Sequence, residues 1–134
     1  MKMKNIIRLT LHGIMIWLIP FISAFFFFDQ TGQIAVDMYL FKTVMILIGG
    51  LTGAFAIVIY FRKVQSGFVN QGIIIGIVWF VVNFILDLAI LLPISGMNYS
   101  DYLVQIGLRY LMIPIMSIMA GVLLEKKPIL KKAV

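Results

Sequence analysis

The sequence predicts an all-α integral membrane protein: a four-helix bundle in up-down-up-down order with both termini cytoplasmic. Three observations predict it. Hydrophobic residues make up 63% of 134 positions and the mean hydropathy is +1.11, whereas an ordinary soluble domain is about 45 to 50% apolar. Those residues gather into four stretches, about 9–28, 38–61, 72–92 and 102–124. Each is long enough to cross about 30 Å of hydrocarbon at 1.5 Å per residue, and only helices satisfy their own backbone there. Finally, nine of the eleven basic residues flank the stretches on one side.

The first stretch, Leu9 to Phe28, follows Lys2, Lys4 and Arg8. A signal peptide has an apolar region of at most about 15 residues ending in a small-x-small site. This stretch runs on into Phe25-Phe26-Phe27-Phe28, so a retained span is expected. The second, Met38 to Phe61, stops at Arg62-Lys63; the third, Gly72 to Leu92, stops at Pro93; the fourth, Tyr102 to Leu124, stops at Glu125-Lys126-Lys127. Short connections predict that consecutive helices are antiparallel neighbours in a single domain. In the loop Pro93 to Asp101, Ser100 is the expected cap of the fourth helix, with Tyr99 and Tyr102 at interface height. Pro20 and Pro114 are expected to kink their helices.

Lys2, Lys4, Arg8, Arg62, Lys63, Lys126, Lys127, Lys131 and Lys132 fall on one side, and Asp29, Asp37 and Asp101 on the other. This bias predicts a multi-pass protein of the cytoplasmic (inner) membrane, N-in and C-in. It also explains the net charge of +6 without nucleic acid, which is not an expected partner. With no cysteine, thiol redox chemistry is excluded. A lone His12 cannot build a metal site, so no metal and no cofactor are expected. The sequence has no Ser/His/Asp set, phosphate-cradling loop or paired acidic motif, which argues against an enzyme.

At helical spacing the third stretch places Gly72, Gly76, Asn83 and Asp87 on one face. The second repeats the arrangement with Lys42, Gly49, Gly53 and Ala56, and in the fourth Gln105 and Arg109 lead to Ser117 and Gly121. Small residues let membrane helices approach closely, so Gly49, Gly53, Gly72, Gly76, Ser117 and Gly121 are expected packing positions, within the protomer or at an oligomer seam. Trp17 and Trp79 lie too deep for interface anchors and are expected in the core. His12 is expected to be interfacial or hydrogen-bonded rather than a proton relay.

Counting from the loops puts Lys42, Asp87 and Arg109 roughly 7 to 11 Å below the outer boundary at 1.5 Å per residue. Asn83 and Gln105 extend this layer by a turn in each direction. A mid-span charge costs roughly 2.5 to 3.5 kcal/mol on insertion scales, so each needs a partner. Asp87 and Arg109 are the expected ion pair, in a network with Lys42 that fixes the register of the second, third and fourth helices. The competing expectation is a ligand site in the outer half of the bundle, where Lys42 and Arg109 outweigh Asp87 and favour a small anion or a lipid headgroup. Proton coupling ranks third, because two flanking cations would hold Asp87 ionised. The chain matches the small multidrug resistance transporters only in size and span number, since their acidic residue lies in the first helix and here that helix has none.

The run Ile106-Gly107-Leu108-Arg109-Tyr110-Leu111-Met112-Ile113-Pro114-Ile115-Met116-Ser117, with Pro93-Ile94-Ser95-Gly96-Met97 before it, resembles small uncharacterised four-span membrane proteins of prokaryotes. The resemblance implies four spans and a shared charged layer over most of the chain, but no activity. The expected function is an interaction or accessory subunit in the lipid bilayer, partnered by a second copy or another membrane protein. The alternative is a carrier or channel for a small ion or anionic solute.

Overall fold

The computed structural model describes the backbone of residues 3–132 and the side chains of residues 5–126. It is all-helical, in the order α1 Met3–Ala24, α2 Met38–Phe61, α3 Phe68–Leu86, α4 Leu92–Ser95, α5 Tyr99–Gln105 and α6 Met112–Lys132. A 3₁₀ turn, Phe25–Phe27, extends α1; a π turn, Asp87–Leu91, joins α3 to α4; and a 3₁₀ turn, Gly107–Leu111, leads into α6. Four stretches are long and apolar enough to cross a membrane: Asn5–Phe27, Met38–Phe61, Phe68–Ser95 and Gly107–Lys126.

Local chemistry sets the ends. The Asp37 carboxylate accepts from Tyr39 N at 2.9 Å and Leu40 N at 3.1 Å, capping α2. Gly67, at φ 64°, takes the left-handed conformation that turns the chain into α3. At that end Glu125 Oε2 accepts from Val69 N at 3.1 Å, placing a carboxylate at the positive end of the helix.

Several expected boundaries moved: the first and third spans begin at Asn5 and Phe68, not at Leu9 and Gly72, and two further shifts have a local cause. The third span does not stop at Pro93 but continues to Ser95. Proline lacks an N–H and its ring crowds the carbonyl four residues back. Here the helix is widened just before it, into a π turn in which Leu92 N–H bonds Asp87 O. The fourth span does not rise unbroken from Tyr102. Asn98, not Ser100, caps α5 by accepting from Asp101 N at 2.9 Å. The helix then breaks at Ile106, with φ −126° and ψ −54°. Pro114 falls in the first turn of α6, where its missing N–H removes no helical bond.

The pairing of helices follows from contacts that repeat along them. Arg8 lies over Tyr60 and Pro20 faces Gly49, so α1 and α2 are antiparallel. Phe68 faces Gly121, Gly72 faces Ser117 and Gly76 faces Pro114, so α3 and α6 are antiparallel and close. The expectation of consecutive neighbours fails for α2 and α3: α2 packs along α1, meeting α3 through Tyr60 on Trp79 and Phe61 on Phe68. The core between them is Leu9, Ile16, Ala56, Ile57, Tyr60, Ile75, Trp79 and Ile113.

Candidate functional site

Three side chains of α3 or its π extension, one turn apart, meet three residues of α1, also one turn apart. Trp79 Nε1 donates to Leu9 O at 2.8 Å, Asn83 Nδ2 to Gly13 O at 3.1 Å, and Trp17 Nε1 to Asp87 Oδ1 at 2.7 Å. The sequence separation is 70 in every case, so the two helices run parallel and in register. Gly13 makes the approach feasible, because a Cβ there would sit 3.1 Å from Trp79 Cδ1. Asn83 also donates to Trp79 O at 2.8 Å. Its Oδ1 is buried without a partner among the described residues.

Asp87 sits at the end of this ladder, 0% exposed. Its Oδ2 accepts from Tyr110 OH at 2.6 Å and Tyr102 OH at 3.1 Å. Indole and phenols from three separate segments therefore engage both carboxylate oxygens, and burial of the charged form is offset by three charge-assisted hydrogen bonds. All three donors are neutral. An ionised Asp87 accepts from all of them; a protonated one gives its Oδ2 proton to one phenol oxygen while the indole bond on Oδ1 stays as it is. The same cage accommodates both forms with only a hydroxyl rotation.

The predicted ion pair is absent. Among the described residues no Lys or Arg nitrogen lies within 4.0 Å of a carboxylate oxygen. Arg109 is half-buried in the 3₁₀ turn, and Lys42 half-buried on α2. The physical reason lies at Ile106. Counting at 3.6 residues per turn from Tyr102 puts Arg109 on the inward face, but the break at Ile106 and the tighter turn after it reset the phase, and Tyr110 takes that place. For Lys42 the cause is the packing of α2 along α1 instead of α3. Gln105, the last residue of α5, is half-buried and outside the hydrogen bonds to Asp87. Of the five residues expected to form the layer, the structure joins Asn83 and Asp87 to one ladder and leaves Lys42, Gln105 and Arg109 off it.

Trp17, Tyr102 and Tyr110 were missed. Tyr102, expected at the interface, is 0% exposed. One signal was present: Trp79, Asn83 and Asp87 stand at steps of four, and two mid-span tryptophans need acceptors for their N–H groups.

The packing residues divide. A Cβ at Gly72 would sit 2.5 Å from Ser117 O, at Gly76 2.5 Å from Ser117 Oγ, and at Gly121 2.5 Å from Phe68 O. Ser117 Oγ donates across the seam to Gly72 O at 2.8 Å. At Gly49 the nearest neighbour would be Pro20, 4.0 Å away, and at Gly53 nothing described lies within 4 Å. His12 Nδ1–H donates to Arg8 O at 2.7 Å, and the ring stacks on Trp79.

Compared with known proteins, the chain matches no family model, no curated protein and no solved structure.

Proposed function

We propose that this chain is a small multi-pass membrane protein, an interaction or accessory subunit whose α1, α3 and α6 form a fixed frame and whose α2 offers a surface to a partner helix. The observation that carries this reading is the engagement of both Asp87 oxygens by neutral donors. With both oxygens engaged and the group fully buried, its first role is to hold three segments together, not to bind a solute. The exposed face of α2 supports the second half: Gly50 is exposed, with nothing described within 4 Å of a Cβ there, beside the exposed Leu47 and Leu51, and a small residue on an apolar face is smooth surface for another helix. We place the four spans in up-down-up-down order with both termini cytoplasmic, on the basic residues of the N-terminal segment, the α2–α3 loop and the C-terminal segment.

The chain has no cysteine, so a single introduced thiol is a clean probe. In native membranes Gly50→Cys, at an exposed position on α2, should give an oxidative cross-link to a second copy or to another membrane protein, while Ile77→Cys, also exposed but on α3, should not. Absence of any adduct at Gly50, from protein that also purifies alone as a monomer, would sink the interaction reading.

One observation favours a second reading, a proton-linked carrier. The π turn begins at Asp87, and π turns recur at functional sites. The neutral cage fits both protonation states. Liposome flux separates the readings: a proton-coupled flux that Asp87→Asn abolishes without unfolding the protein establishes the carrier, and absence of flux leaves the frame.

A further inference from the structure

At the opposite end of the ladder from Asp87, a cavity of about 240 Å³ opens between the start of α1, the end of α2 and the α2–α3 loop. Asn5, Arg8, Tyr60, Lys63, Ser66 and Gln71 contribute to its lining. Two of these are cations, and the rest of the named side chains carry neutral donors. The Arg8 guanidinium is held 4.7 Å above the Tyr60 ring, a cation–π contact that fixes its direction. Its Nε is buried with no hydrogen-bond partner among the described residues. Tyr60 is fixed in turn, donating its hydroxyl to Gln71 Oε1 at 3.1 Å, which leaves the Gln71 amide N–H groups to donate elsewhere. The described carboxylate at this end, Glu125, is engaged on Val69 N.

A half-buried, oriented guanidinium beside a lysine, a hydroxyl and amide donors is the donor set that recognises a tetrahedral oxyanion, because arginine meets two oxygens at once and lysine adds a point charge. The height of the cavity indicates which anion. Asn5 and Arg8 stand at the start of the first apolar span and Tyr60 at the end of the second, which is where lipid phosphates lie. We propose that this cavity binds the phosphate of an anionic lipid headgroup at the membrane surface. The inference is independent of the role assigned to Asp87.

The test uses the purified full chain and native mass spectrometry, titrating phosphatidylglycerol against phosphatidylcholine, with inorganic phosphate as a separate arm. Phosphatidylglycerol should be retained as a discrete one-to-one adduct. Lys63→Gln, at an exposed position that cannot threaten the fold, should weaken that adduct about fivefold, and Arg8→Gln at least as much. Arg62→Gln removes the same charge from the adjacent residue, which is not part of the lining, and should change it less than about twofold. An equal loss in Arg62→Gln would show diffuse surface attraction and overturn the site, as would failure of both lipid and inorganic phosphate to bind. Binding of inorganic phosphate alone, lost in Lys63→Gln, would support the cavity as a phosphate site and overturn the lipid as its source.

Discussion

Helices α2 and α3 carry nearly the same pattern and use it in opposite ways. Each has an ionisable residue toward one end and two glycines four apart: Lys42, Gly49 and Gly53 on α2, Asp87, Gly72 and Gly76 on α3. On α3 the pattern is fully occupied. Its glycines admit the backbone of α6 and its carboxylate is caged. On α2 the fit is loose: Gly49 is half-buried with Pro20 4.0 Å from a Cβ there, Gly53 is buried yet leaves room for a Cβ, and Lys42 is half-buried, off the network foreseen for it. A small-residue stripe thus marks where a helix is smooth. Whether another helix lies there depends on which elements become neighbours, and that is decided elsewhere in the chain.

The largest expected effect falls on the occupied pattern. Asp87→Ala strands an indole N–H and two phenol O–H groups in the interior; at about 1 to 3 kcal/mol per unsatisfied buried group, less what rotation of the phenols recovers, the loss is on the order of 4 kcal/mol. A denaturant titration in micelles, followed by tryptophan fluorescence, measures it directly, since Trp17 is a partner. Asp87→Asn keeps an acceptor for the indole and offers an N–H to a phenol oxygen, so it should cost only about 1 kcal/mol. Equal losses in both variants would mean that the carboxylate's charge, not its cage of donors, organises the site.

Second in size is Gly76→Val. Its Cβ would meet Ser117 Oγ and the Pro114 backbone at 2.5 and 2.7 Å, and backbone cannot yield, so α3 and α6 must separate at a cost of about 3 kcal/mol. A stability change below about 1 kcal/mol would show that this seam is looser than its geometry and would erase the contrast with α2.

The same contrast explains what the sequence could and could not convey. Four spans, the second with its boundaries at Met38 and Phe61, were legible because apolar length is a property of each segment alone. The glycines facing α6 were legible as a stripe. The partners of Asp87 were not, for two reasons. Helical phase does not carry through Ile106, where the backbone departs from the helix, so Tyr110 stands where an unbroken helix would put Arg109. And chain order does not fix adjacency: it hides the parallel pairing of α1 with α3 that brings Trp17 to the carboxylate. Nor does a buried carboxylate require a cation, since three neutral donors satisfy this one.

Ser117→Ala gives a smaller effect, about 1 kcal/mol, by removing a hydroxyl that bonds Gly72 O across the seam. Below it comes Gly50→Val, whose near-zero effect is the most instructive. Gly50 is exposed and a Cβ there meets no described atom within 4 Å, so the purified protein should keep its stability within about 0.5 kcal/mol. A glycine in mid-helix lowers helical propensity, and its replacement would cost nothing to avoid unless something outside the protomer needs the space. The expected outcome is therefore a split: unchanged unfolding of the isolated chain together with loss of the cross-link that a thiol at the exposed Leu47, one turn away, gives in the native membrane. Destabilisation of the isolated chain by Gly50→Val would place the helix that α2 needs inside the protomer and erase the contrast with α3.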